Sequence, residues 1–251
     1  GGGDAAASAV LPPLGGEKLF CYHLQDTSWQ MPKLTVKLLF ESLYATCSPL
    51  NVAFTELFCA CLKESLNEYA YYADCAGLYF DLTLSKAGFQ VDVQGYGHKL
   101  PTLLASILDE TQHMCAQGVG LDLFERMKER ALRGFKNFLF WQPYYHAIVG
   151  SLTCMEEVRF SPPEKHAALT AATLQDFTAF LHSLVQKMRA VLLVHGNATA
   201  EEASDLTSLV CEKMPFSALP PAQLPTRRVV QLGVGVGAGA GAGGLEGIMQ
   251  V

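Results

Sequence analysis

Between positions 78 and 96 the chain alternates apolar and polar residues twice, on either side of a Lys86-Ala87-Gly88 turn. Alternation with period two buries one face of a ribbon and wets the other. LYFDLTLS (78–85) and FQVDVQGY (89–96) therefore predict an antiparallel hairpin. Its inward set is Leu78, Phe80, Leu82 and Leu84 on one strand and Phe89, Val91 and Val93 on the other; Asp81, Asp92 and Gln94 face outward. The period changes just before it. Phe54, Leu57, Phe58, Cys61, Leu62, Ser65, Leu66 and Tyr69 recur at helical spacing. After the Ser48-Pro49 break this predicts one long helix, capped by Asn51, running to about Ala76 and ended by Gly77.

The flanking segments follow the same logic. Lys18–Leu24 and Leu34–Ser42 are strand candidates. Helices are predicted at about Leu100–Gln117, Leu121–Phe140, Pro143–Glu157, Pro163–Ala168 and Leu174–Lys187, with Thr173 and Asp176 forming a loose capping box. AVLLVH (190–195) is a short buried-type strand closed by Gly196-Asn197, and Thr199 caps a helix through Cys211. Val229–Leu232 begins a further strand. Hairpin pairing with grouped helices points to an α+β fold, an antiparallel or mixed sheet with helices packed on one face.

Half of the 251 residues are hydrophobic and 17% are charged, enough for a sizeable core. Residues 1–17 are Gly, Ala and Pro-rich and are expected to be disordered; 18–232 form the folded body; 233–251 are a Gly/Ala-rich low-complexity tail. The start lacks the charged and apolar regions of a secretory signal. The net charge of −6 and the want of a Lys/Arg cluster argue against a nucleic-acid partner. No apolar run is long enough to cross a membrane. The eight cysteines contain no C-x-x-C pair, and are expected to be free, buried thiols in a cytosolic-type protein.

Catalytic signatures are missing. A zinc hydrolase places two His and a carboxylate on one helical face, as in H-E-x-x-H or H-x-x-E-H. The seven His stand at 23, 98, 113, 146, 166, 182 and 195, no two within five residues. There is no G-x-S-x-G elbow, and Gly95-x-Gly97 lacks the rest of a phosphate or dinucleotide loop. Cys115 near His113 is expected to be a packed helix residue, His195 a satisfied structural histidine, and the i,i+4 pair Glu64 and Glu68 a solvated or ion-paired face.

Longer stretches carry a resemblance. LKESLNEYAYYADCAGL (62–78) resembles the long-helix signature in the third domain of the insulin-degrading enzyme, nardilysin and pitrilysin family of zinc metallopeptidases. Trp29-x-x-Pro32 with LTVKLLFES, GFQVDVQGYGHKLPTLL (88–104), LRGFKNFLFWQPYYHA (132–147) and LLVHGNATAEEA (192–203) match other parts of that domain in order. The resemblance implies a fold like that of mitochondrial processing peptidase. It also implies four related domains closing round a peptide, with zinc held by H-x-x-E-H in the first. No residue here matches that motif, so no catalytic or metal-binding residue carries over and no cofactor is expected in this chain. Asn67, Glu68, Tyr69 and Tyr72 lie in the signature. They either line the chamber or pack and hydrogen-bond within the domain; the second is favoured, because so apolar a helix must bury most of its surface. Gly77, Gly95 and Gly196-Asn197 have structural roles.

Two functions follow. The chain is the non-catalytic, chamber-forming middle domain of a peptide-degrading zinc metalloendopeptidase, its partners being sister domains and peptide substrates. Alternatively it is an inactive stand-alone scaffold that docks on a catalytic homologue.

Overall fold

In the computed structural model, which describes residues 18–29, 31–186, 188–214, 216, 219, 228–230 and 248–250, the chain opens with strands β1 (Leu19–Gln25) and β2 (Lys33–Glu41). A short helix α1 (Leu43–Thr46) leads to α2 (Pro49–Ser65) and α3 (Asn67–Cys75). Then comes the predicted hairpin, β3 (Tyr79–Ser85) and β4 (Gly88–Tyr96), with Leu82 opposite Val91 and Leu84 opposite Phe89. Helices α4 (Leu100–Gln117), α5 (Leu121–Asn137), α6 (Pro143–Met155), α7 (Pro162–Thr170) and α8 (Leu174–Gln186) follow, with a 3-10 turn at Phe138–Phe140. Strand β5 (Arg189–Gly196) and helix α9 (Ala200–Lys213) come next. Two short strands, β6 (Arg228–Val230) and β7 (Ile248–Gln250), pair with each other, β7 lying in the segment read as low complexity. Residues 1–17 and 233–244, where the ends were expected to be unstructured, lie outside the described residues.

The sheet runs β1-β5-β2-β4-β3; β1 and β5 are parallel and the other pairs antiparallel. The mixed α+β architecture expected from the sequence is therefore present. The sheet is one-sided. Leu34, Val36, Leu38 and Phe40 of β2 are buried, and so are Ala190, Leu192 and Val194 of β5 and Phe89, Val91 and Val93 of β4. The intervening Lys37, Leu193 and His195 are exposed. Against the apolar face pack α2, α4 and α9, while α8 packs on α2 and α4, with an aromatic cluster between them. Phe40 stacks on Phe89 at 4.8 Å, and Phe54 lies 5.3 and 5.4 Å from Phe177 and Phe180. Emptying such a site, as in Phe54→Ala, costs roughly 3–5 kcal/mol.

Several boundaries differ from expectation for identifiable reasons. Ser48, not Asn51, caps the second helix. Its hydroxyl accepts the Asn51 N–H at 3.1 Å, and Pro49 takes the first helical position, where its missing N–H costs nothing. The Asn51 amide instead donates to the Tyr44 carbonyl at 2.6 Å, tying α1 to α2. The single long helix is two. Leu66, at φ −89° and ψ 2°, breaks the axis, although its N–H still reaches Leu62 O and its carbonyl still receives Ala70 N–H. Helical spacing survives such a one-residue departure, so periodicity alone sees one helix. Phe80 and Leu84 of the inward set are only half-buried, because β3 is the sheet edge. The expected box of Thr173 with Asp176 forms, and Thr199 caps its helix as expected, in a box with Glu202; Ser161 and Glu164 form another.

Gly95 shows why a glycine is required at one point. Its φ is +144°, and a Cβ there would lie 2.5 Å from Gly77 O and 2.9 Å from the Leu78 Cα. The end of β4 can approach the turn after α3 this closely only without a side chain.

Candidate functional site

The four signature residues sit on α3 and at its start. Asn67, Glu68, Tyr69 and Tyr72 are all exposed, Tyr72 by 62%. None of the four side chains has a hydrogen bond within the described residues; the Tyr72 ring meets only that of Tyr71, at 5.8 Å. The favoured packing role therefore does not describe them. Burial on α3 falls to Ala73 instead.

Asn67 is also at the end of a groove of about 800 Å³. One wall is α2, another is α5, and the third is the outer strand β3 through Leu82, Thr83 and Leu84. Its apolar lining includes Met127, Phe135, Phe138 and Trp141, with the small residues Ala60, Ala131 and Gly134 between them. Charged groups stand at the rim. Lys165 pairs with Glu56 at 2.7 Å, Arg126 with Glu64 at 3.4 Å, and Lys63 with Asp81 at 2.6 Å. Arg130 has no acidic partner among the described residues. Sequence reasoning missed this site, because its walls come from separate segments between Glu56 and Lys165 and no local motif joins them.

The residues present do not fit a zinc ion. Among the described residues no three His, Cys, Asp or Glu side chains come together as a ligand set. The histidines are occupied separately or exposed. His23 is buried, with Nε2 2.8 Å from Ala198 O; His146 packs on Phe138 at 4.4 Å; His182 Nε2 is 3.2 Å from Ala116 O. His195, expected to be a satisfied structural residue, is exposed and its side chain has no hydrogen bond among the described residues. It faces the open side of the sheet, which its position in the β5 alternation dictates. Glu64 is ion-paired with Arg126, as an exposed helix charge would be.

Cysteine chemistry is also quiet at the buried positions. Burial pushes the thiols of Cys59, Cys61 and Cys115 up to about 12, so they stay protonated and unreactive at neutral pH. The expectation that all eight are buried is corrected: Cys47, Cys75, Cys154 and Cys211 are exposed. Cys59 and Cys61 point to different faces, yet both are buried, because α2 is covered on two sides, by the sheet and by α5 and α7.

One face is conspicuously uncovered. Helix α6 has no buried residue, although it carries no Lys, Arg, Asp or Glu. Tyr144, Tyr145 and Ile148 are exposed by 43–51%, and the preceding Leu139 and Phe140 by 67% and 82%. Among the described residues no helix is long and apolar enough to cross a membrane, so these side chains do not mark a membrane-spanning helix. Contiguous apolar exposure of this kind marks contact surfaces.

Comparison with known proteins places these features. A family described as "Middle or third domain of peptidase_M16" matches residues 16–168. Human insulin-degrading enzyme is 34% identical over 212 residues, covering 83% of this chain and 20% of the human protein. The chain thus spans about a fifth of that relative's length. The crystal structure of pitrilysin superposes with a TM-score of 0.75 at 20% identity, over 85% of this chain and 22% of pitrilysin. A structure described as a peptidase M16 inactive domain from Pseudomonas fluorescens gives 0.59 at 14% identity, over 82% and 50%. With the family match, the identity to insulin-degrading enzyme and the shared fold in agreement, this chain belongs to the peptidase M16 family, to its middle or third domain.

Proposed function

We propose that this domain is a non-catalytic wall of the peptide-holding chamber in an insulin-degrading-enzyme-like zinc metalloendopeptidase. The zinc and its H-x-x-E-H ligands belong to another domain. The observation that carries this reading is the uncovered face of α6 in a domain of this family. A helix without charge and without burial is stable in water only at a cost, and a sister domain that covers it removes that cost. The scattered histidines, which converge on nothing here, favour a supporting role over a catalytic one. The open face of the sheet, carrying Lys37 and His195 beside Leu193, suits contact with solvent and with extended peptides of mixed polarity.

In this role the domain contributes no bond-making group. It confines a peptide so that the hydrolysing centre meets it in few orientations, and it excludes bulk water. Its partners are sister domains and peptide substrates, with no role for nucleic acid or membrane. Eight unpaired cysteines suit a reducing, cytosolic setting.

The test mixes the purified chain with a zinc-bearing homologous catalytic module and follows cleavage of a quenched fluorescent peptide. Neither zinc nor substrate should elicit cleavage from the chain alone; the mixture should cleave faster than the module alone. Chelator-sensitive cleavage by the purified chain alone would refute the non-catalytic assignment. Complex formation without any gain in cleavage would favour the inactive scaffold instead.

A further inference from the structure

We infer that the outer edge of β3, together with the groove beside it, binds an extended segment of substrate peptide as an added strand. An apolar side chain of that segment lies against Met127, Phe135 and Phe138, and an acidic one pairs with Arg130. The source of the peptide rests on the chamber reading above; the groove itself rests on geometry.

Leu82, Thr83 and Leu84 all border the groove. Successive strand side chains point to opposite faces, so three consecutive residues can line one cavity only if it abuts the strand's backbone edge. That edge is open among the described residues, where β3 pairs with β4 alone. Every second residue of an outer antiparallel strand turns its N–H and C=O outward, ready for another strand. Such edges are commonly guarded by a lysine or a proline. Here Lys63 crosses to Asp81 at 2.6 Å and guards one end, while Leu82–Ser85 contain no proline and no charge. The open stretch is therefore about four residues, or roughly 13 Å of strand.

The groove is shaped for side chains from such a strand. Gly134 lies within α5, where glycine weakens a helix relative to alanine. A Cβ added there meets no atom within 4 Å, so packing does not demand the glycine. What it does provide is depth at the groove floor. A volume of about 800 Å³ lies within the range of ligand sites. Charge then selects the occupant. Lys165 and Lys63 are already neutralised by Glu56 and Asp81, and Glu64 by Arg126. Arg130 is left to attract a carboxylate, which favours an acidic residue one or two positions from the apolar one.

The experiment uses the whole 251-residue chain, without zinc or catalytic module, and a fluorescein-labelled nonapeptide of alternating Leu and Thr with one central Glu. Fluorescence anisotropy should show saturable binding below about 1 mM. Two N-methylated versions, each blocking one alternate set of amides, should differ: one binds about tenfold more weakly and the other little changed, because only one set joins a ladder. Arg130→Glu should weaken the Glu peptide about fivefold and leave a Glu-to-Gln peptide unaffected. Gly134→Trp should abolish binding while circular dichroism stays native. The inference is overturned by absence of saturable binding, by equal binding of the two methylated peptides, or by a Gly134→Trp variant that still binds. It is also overturned if sedimentation shows a dimer of this chain that peptide cannot dissociate, because a second copy then covers the edge. Since nothing is cleaved in this assay, its outcome is independent of the mixing experiment. Binding without any gain in cleavage would sink the chamber reading alone.

Discussion

Single residues decide where the backbone of this domain can turn and approach itself. Gly95 is the sharpest case, combining φ +144° with a Cβ position 2.5 Å from Gly77 O. Gly95→Ala should destabilise the chain by about 2–3 kcal/mol, combining backbone strain with a clash against main-chain atoms that cannot swing away. Urea unfolding followed by circular dichroism measures this directly; a midpoint within error of the unmodified chain would remove the crowding argument. The requirement for a glycine at this strand end was legible in the sequence, since Gly95 interrupts an otherwise alternating strand. The fate of Tyr69 and Tyr72 was not. Tyrosines at helical spacing look the same whether they face a core or solvent, and only the position of α3 beyond the sheet edge exposes them.

Elements show a different division. The hairpin, α4, the Thr173–Asp176 box and the Thr199 cap could be placed from period and cap chemistry, because those signals are local. The break at Leu66 and the early start of α2 could not. The first leaves helical spacing intact, and the second depends on Asn51 having a better partner in Tyr44 O. The link between the β3–β4 turn and the end of α6 was equally invisible. There Glu156 forms an ion pair with Lys86 at 2.7 Å and accepts a hydrogen bond from Arg159 at 2.9 Å. Burial by itself would push the Glu156 carboxyl up, but the neighbouring Lys86 and Arg159 cations outweigh it and hold its pKa below the usual glutamate range. Glu164 and Asp176 are also held low, by hydrogen bonds from Ser161 and Thr173. The unfolded chain takes up these protons more readily than the folded one. Stability is thus fully present above the ordinary carboxylate pKa of about 4 and falls as pH drops through the lower folded values. Glu156→Gln should flatten that acid limb when urea midpoints are compared between pH 6 and pH 3. An unchanged slope would mean that the Lys86–Glu156–Arg159 cluster does not couple the turn to α6.

At the scale of the whole molecule the strongest asymmetry is between covered and uncovered apolar surface. The sheet, α2, α4 and α8 share one continuous core, while α6 and the turn before it leave Phe140, Tyr144 and Ile148 in solvent. Removing apolar groups from a core destabilises the fold; removing them from a surface that awaits a partner leaves the fold alone and harms only assembly. The two cases separate cleanly in one variant. Phe140→Ser with Ile148→Ser should change the free energy of unfolding of the chain by no more than about 0.5 kcal/mol, since neither side chain is buried. The same variant should lose most of the association with a zinc-bearing catalytic module, and with it the gain in peptide cleavage. Analytical ultracentrifugation reads the first effect of assembly and a quenched peptide the second. Should the double variant instead unfold at much lower urea while still associating normally, α6 would belong to this domain's own core, and the surface that meets a sister domain would have to lie elsewhere.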